Sequence, residues 1–124
     1  MAESKKKILI VDDEPEVLER LSNILERAEF EVISTGRGVE ALELAKQEIP
    51  DLIILDILLP DKTGDDIAGE LSQTPSTASI PIIFLTGVVT KEEIATSEKC
   101  GKHYVLAKPV TKDAILEAIN KALA

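Results

Sequence analysis

With 124 residues, 44% of them apolar, the chain is sized for one domain around one core, taken as residues 1–124 without a linker or second unit. No apolar run is long enough to span a membrane, and the stretch from Met1 to Lys7 leads into a run, Ile8 to Val11, too short for a signal peptide, so a cytoplasmic protein without membrane contact is expected. A net charge of −9 with one short basic run, Lys5-Lys6-Lys7, argues against direct nucleic-acid binding, while a single cysteine, Cys100, and a single histidine, His103, exclude an intrachain disulfide and a His-rich metal site.

The elements alternate along the chain. Ile8 to Val11 is a continuous β-branched-rich run, the pattern of a strand buried on both faces of a parallel sheet. Glu14-Pro15 starts a helix whose inward face is Val17, Leu18, Leu21, Ile24, Leu25 and Ala28. Phe30 to Thr35 reads as a second strand nearer an edge. Gly36 and Gly38 then break the chain, and a second helix is expected over Val39 to Gln47, ended by Pro50. Leu52 to Leu55 is a central strand running into Asp56. The loop from Ile57 to Gly64 carries turn residues at Pro60-Asp61, and a third helix is expected from about Asp65 to Leu71. Gln73 to Ser79 reads as a polar loop, and Pro81 to Leu85 as a fourth strand ending at Thr86-Gly87. Thr90 with Glu93 forms a capping box for a short fourth helix ending before Gly101. His103 to Leu106 is the fifth strand, and Thr111 caps a last helix bearing Ala114, Ile115, Ala118, Ile119 and Leu123. Five β–α units result: an α/β fold, (βα)5, with a doubly wound five-stranded parallel sheet and right-handed crossovers.

Chemistry-bearing residues recur at the carboxyl ends of these strands, where ligands bind in open parallel sheets. Asp12-Asp13 follows the first run, Asp56 the third, Thr86 ends the fourth, and Lys108-Pro109 follows the fifth. Each has an ordinary reading. Asp12 or Asp13 could cap a helix, Asp56 could form an Asx turn, and Thr86 could be a plain strand-end hydroxyl. One acid suffices for a cap, however, and here two precede Glu14. Lys108 is the most telling, because the residue before a proline is held extended. A lysine extended at a strand end points over the sheet edge, where its amine offsets the repulsion of the acids. Pro109 is expected to be cis, which fixes that direction. Three carboxylates at one edge are costly unless a cation sits among them, so the pattern suggests a Mg²⁺ site with a reactive carboxylate.

The stretches IVDDEP (Ile10 to Pro15), DLIILDILLPDKTG (Asp51 to Gly64), PIIFLTG (Pro81 to Gly87) and AKP (Ala107 to Pro109) resemble, in order and over essentially the whole chain, the receiver (CheY-like) domain of bacterial two-component response regulators. The resemblance implies a flavodoxin-like strand order, 2-1-3-4-5. It implies that Asp56 is the phosphoacceptor, taking a phosphoryl group from the phosphohistidine of a sensor histidine kinase or a histidine phosphotransfer protein. Asp13, Asp56 and the backbone carbonyl of Leu58 are similar to the family's Mg²⁺ ligands, with Asp12 orienting a metal-bound water and Mn²⁺ as a substitute ion. Lys108 and Thr86 would contact phosphoryl oxygens, and Gly87 would leave the phosphate access. The implied switch comprises Thr86, Gly87 and Val105, and the implied output is binding of a downstream protein or domain, by a monomer or a phosphorylation-dependent dimer. One departure stands out. The family often has an aromatic residue where this chain has Val105, and Tyr104, one place earlier, points to the opposite face by strand alternation. Coupling is therefore expected through Thr86 and the Val88-Val89 loop, with slow self-hydrolysis because Leu58 and Val88 are apolar.

Other function classes fit less well. A Mg²⁺-dependent phosphohydrolase with an aspartyl nucleophile would carry that residue after the first strand, whereas Asp56 follows the third. A binding-only scaffold would not need every site residue. A flavodoxin-type cofactor binder would want a phosphate loop where Asp12-Asp13-Glu14 stands. The expected activity is thus a signalling domain that catalyses only its own phosphorylation and dephosphorylation.

Overall fold

The short β-branched runs form strands because both of their faces are covered. The computed structural model describes residues 5–57, 59–86, 104–108 and 110–123. Its strands are β1 (Lys7–Val11), β2 (Glu31–Thr35), β3 (Leu52–Asp56), β4 (Ile82–Thr86) and β5 (Tyr104–Ala107), all parallel and ordered β2-β1-β3-β4-β5. The described helices are α1 (Pro15–Arg27), α2 (Gly38–Glu48), α3 (Gly64–Gln73) and α4 (Lys112–Leu123). The helix expected from Thr90, together with Leu58, Gly87, Val88, Val89, Cys100, His103 and Pro109, lies outside the described residues.

Strand alternation divides the core into two layers. Ile8, Ile10, Leu52, Ile54, Ile83 and Leu85 meet Leu21 and Leu25 of α1 and Ile115 and Ile119 of α4. Leu9, Val11, Ile53, Leu55 and Ile82 meet Ala41, Leu42 and Ala45 of α2 and Ile67 and Leu71 of α3. From Ile8 in β1 and from Leu52 in β3 both faces are covered, which is why the runs read as continuous rather than alternating. The chain steps from β1 outward to β2, then returns across β1 to β3. That reversal opens a crevice beyond the carboxyl ends of β1 and β3, where neighbouring connections diverge. No helix among the described residues is long and apolar enough to cross a membrane.

Several boundaries differ from the sequence reading. Gly38 does not break the chain but is the first residue of α2, and it is buried. A Cβ there would stand 2.9 Å from Ile67 Cδ1 and 3.0 Å from Lys62 Cβ, so glycine lets α2 start against α3. Helix α2 stops before Pro50, with Ile49 in the left-handed region at φ 44°. Helix α3 begins at Gly64, one residue before the expected start, because Thr63 caps it by accepting the Asp66 N–H at 3.2 Å. It continues to Gln73, and the following segment is less polar than it reads. Thr77 is buried and donates to the Leu71 carbonyl at 2.7 Å, closing the end of that helix.

The loop from Asp56 to α3 is held at two points. At its end the Gly64 N–H donates to the Ile57 carbonyl at 2.7 Å. A Cβ on residue 64 would lie 2.8 Å from Ile57 Cα and 3.0 Å from the Asp56 carbonyl oxygen, both of them backbone atoms. Midway along the loop Asp61 reaches across to α2. Its carboxylate accepts the Gly38 N–H at 2.8 Å and the Val39 N–H at 3.0 Å. Arg37, the residue in the N-cap position, makes no side-chain cap, so an acid 22 to 23 residues away performs that role.

Two outcomes follow from this loop. Replacing Gly64 by alanine must push backbone apart, and a loss of about 1–3 kcal/mol is expected in urea denaturation; an unchanged midpoint would show that the loop yields freely. The Asp61 carboxyl is held below its usual 3.8, first by the Gly38 N–H and then by that of Val39. A depressed folded-state pKa contributes stability that is present above pH 3.8 and is lost as pH falls through the folded value. Asp61→Asn should therefore melt below wild type at neutral pH, with the difference shrinking in acid. A difference independent of pH would remove the ionised cap from the account.

Candidate functional site

The crevice beyond β1 and β3 collects the residues singled out in the sequence. Asp12 directly follows β1 and is wholly buried; its N–H donates to the Thr35 carbonyl of β2 at 3.1 Å, which locks it beside the neighbouring strand. Its Oδ1 accepts the Glu14 N–H at 2.9 Å. Asp13 is exposed. Asp56 is the last residue of β3 and is buried. Oxygens of Asp12, Asp13 and Asp56 lie within 4.8 Å of one another. Thr86, the last residue of β4, is also buried.

Lys108 joins these strand ends. Its backbone N–H donates to the Thr86 carbonyl at 2.8 Å, extending the β4–β5 pairing by one residue and fixing where the side chain starts. The ammonium then lies 2.8 Å from Asp12 Oδ2, 2.9 Å from Glu14 Oε1 and 3.2 Å from Asp56 Oδ2. It donates hydrogen bonds to Glu14 and Asp56. Its contact with Asp12 is close enough to neutralise charge, yet Asp12 Oδ2 has no hydrogen-bond donor in acceptable geometry. Burial of the ammonium lowers its pKa, but its pairing with the carboxylates of Asp12, Glu14 and Asp56 outweighs burial and holds it above its ordinary value. Lys108 is therefore held in its charged form beside the acids.

The extended lysine expected from the Lys-Pro pair thus does lie over the acids. Leu58, Gly87 and Pro109, also singled out, fall outside the described residues. Val105 pairs with Phe84 across β4 and β5, while Tyr104 packs in the layer beneath α1 and α4. The two residues therefore occupy opposite faces, as alternation requires. Two contributors were not singled out in the sequence. Glu14 is one; its signal was only that a third acid follows Asp12-Asp13. Asp61 is the other, and within the sequence it looks like an ordinary turn residue.

This donor set fits a hard divalent cation. All candidate ligands are oxygens, and one of them, Asp12 Oδ2, is a buried acceptor without a donor. Asp13 faces solvent, which suits an ion that keeps several waters. A fixed lysine beside a carboxylate at the sheet edge also suits an incoming phosphoryl group, whose transfer is mainly a matter of positioning and charge neutralisation.

Comparison with known proteins bears on the same reading. A family model described as the response regulator receiver domain matches residues 8–120. PilH of Pseudomonas aeruginosa is 32% identical over 118 residues, covering 95% of this chain and 98% of that protein. The polar-differentiation response regulator DivK of Brucella anthropi is 30% identical, over 95% of this chain and 96% of its own. Among solved structures, the chemotaxis protein CheY4 of Vibrio cholerae superposes with a TM-score of 0.86 at 28% identity, covering 97% of this chain and 100% of that one. A CheY-like response regulator receiver domain protein from Methanospirillum hungatei gives 0.83 at 31% identity, covering 97% and 94%. Because sequence and fold agree with these proteins across almost the whole length, the chain belongs to the response regulator receiver family, as a CheY-like phosphoacceptor signalling module rather than an enzyme acting on external substrates.

Proposed function

We propose that Asp56 accepts a phosphoryl group from a phosphohistidine on a sensor histidine kinase or histidine phosphotransfer protein, with Mg²⁺ (or Mn²⁺) bound, and that the modified chain changes its affinity for a downstream protein or domain. One observation carries the reading: the Lys108 ammonium stands 2.8 Å from Asp12 and 3.2 Å from Asp56, joining the ends of β1, β3 and β5 over one cluster of acids.

An Asp56 oxygen attacks phosphorus, the bond from phosphorus to imidazole nitrogen breaks, and the histidine leaves with the electron pair. The product is an acyl phosphate. Asp12, Asp13, Asp56 and the Leu58 carbonyl would hold the Mg²⁺, which when bound supplies charge neutralisation for the transferring oxygens. Lys108 holds its ammonium beside the acceptor, where it can neutralise a phosphoryl oxygen. Thr86 offers its hydroxyl to another oxygen from the end of β4. Hydrolysis later cleaves the bond between phosphorus and Asp56 by attack of water, releasing inorganic phosphate and the free carboxylate.

A phosphoryl group adds roughly −1.5 to −2 charge at the site, by analogy with other phosphorylated side chains. Movement of Thr86 toward that charge would bias the chain after β4, with Gly87 and Val105 completing the switch. The partner surface is then the face after β4 and β5, on a monomer or a phosphorylation-dependent dimer.

The expected outcome in intact-mass analysis, after incubation with acetyl phosphate and Mg²⁺, is a single added phosphoryl group. It should be absent in Asp56→Asn and after chelation with EDTA. An adduct that persists in Asp56→Asn would place the acceptor elsewhere, and no adduct on the wild type would favour a binding-only scaffold.

A further inference from the structure

We infer that Glu14 is a positioning residue that holds Lys108 back in the resting site, and that exchange of the Glu14–Lys108 pair for a phosphoryl oxygen is a step of phosphoryl capture. The inference rests on the proposed acceptor role of Asp56 and deepens it.

An ammonium has three N–H groups and no acceptor. Lys108 has three carboxylate neighbours within 3.2 Å: Asp12, Glu14 and Asp56. Two N–H groups go to Glu14 and Asp56, and Asp12 Oδ2 crowds the third side at 2.8 Å, so an arriving phosphoryl oxygen reaches the ammonium closely only as one carboxylate draws back. The three are not equally free to go. The Asp12 side chain has no exposure and that of Asp56 has 6%, so neither can swing into water; the Glu14 side chain is 59% exposed. A solvated carboxylate gives up an ion pair at little cost, because water replaces the lost partner.

The backbone of Glu14 is nevertheless fixed. Its N–H donates to Asp12 Oδ1 at 2.9 Å, and its carbonyl accepts the Val17 and Leu18 N–H groups at 3.1 Å. The side chain can therefore turn away while the start of α1 stays in place. There is room for it: Glu14, Glu16, Arg20 and Lys108 line one groove of about 360 Å³, over Val17, Leu21 and Val110. The groove also carries a second cation, Arg20, with Glu16 beside it. The ammonium, in turn, can rotate toward Asp12 Oδ2, which it now meets at short distance without a hydrogen bond.

The test compares wild type with Glu14→Gln, Glu14→Asp and Glu16→Gln in the rate of phosphorylation by acetyl phosphate and Mg²⁺, read by intact mass at fixed ionic strength. Both Glu14 variants should react about two- to fivefold faster, the range set by the strength of an exposed ion pair. Glu14→Asp keeps the charge but shortens the arm, and Glu16→Gln removes one charge from the same turn without touching Lys108. Acceleration in Glu14→Gln alone, or equal acceleration in Glu16→Gln, would mean that net charge rather than the pair sets the rate, and would overturn the inference. So would unchanged or slower reaction in both Glu14 variants. In each of these cases a labelled wild type leaves the acceptor reading standing; a wild type that takes up no phosphoryl group overturns that reading and the inference with it.

Discussion

Carboxylates packed at one edge of a sheet repel, and everything distinctive about this molecule follows from how that repulsion is contained. Asp12 is wholly buried and Asp56 nearly so, yet each meets the same ammonium. An ion pair of this depth brings little net stability, because desolvating the charges offsets their attraction, but breaking it strands a charge in the interior. Lys108 is thus what makes the acidic pocket compatible with a folded state when no other cation is present. Its sharing among three carboxylates also sets the resting state from which any chemistry must start.

The fold delivers these groups by ordinary means. Both faces of β1 and β3 are covered from Ile8 and Leu52 onward, so the residues stay apolar up to the carboxyl ends, where the next polar positions, Asp12 and Asp56, are site residues. The return of the chain across β1 leaves that end open. The loop after Asp56 is then fixed by two contacts of different kinds. One is a steric approach at Gly64 that no side chain could share; the other is electrostatic, with Asp61 sitting on the amino end of α2. Through them the position of the acceptor loop is tied to a helix that carries none of the site residues. On the far side, the Lys108 backbone bonds to Thr86, so the residue that carries the ammonium is tied to the end of β4.

Much of this was legible in the sequence, and the rest was illegible for identifiable reasons. Unbroken runs such as Ile8 to Val11 and Leu52 to Leu55 declare buried parallel strands, and residues at their ends declare the site. Lys108 could be aimed from the following proline alone. The errors lie where long-range contacts override local signals. Gly38 reads as a breaker because its neighbours give no hint that Asp61 will cap the helix it starts. Thr77 sits in a stretch that looks solvated, yet it is buried against the end of α3. Glu14 and Lys108 are 94 residues apart, and nothing local distinguishes Glu14 from any other acid in a first helical turn. Thr63 was the recoverable miss, since a threonine followed three residues later by an acid marks a helix start.

The buried carboxylate of Asp12 has an evolutionary consequence. Its charge is taken out of water beside a second buried acid, and the ammonium only offsets that cost, which the apolar layers must cover on behalf of chemistry alone. The scaffold does not need its acids, because the two cores are built entirely from residues elsewhere. A duplicated copy released from signalling would gain stability by shedding one of them, and drift would carry it that way. Among descendants of such a sequence, unusual robustness to heat would be a mark of silence, and modest stability a sign that the chemistry is still kept.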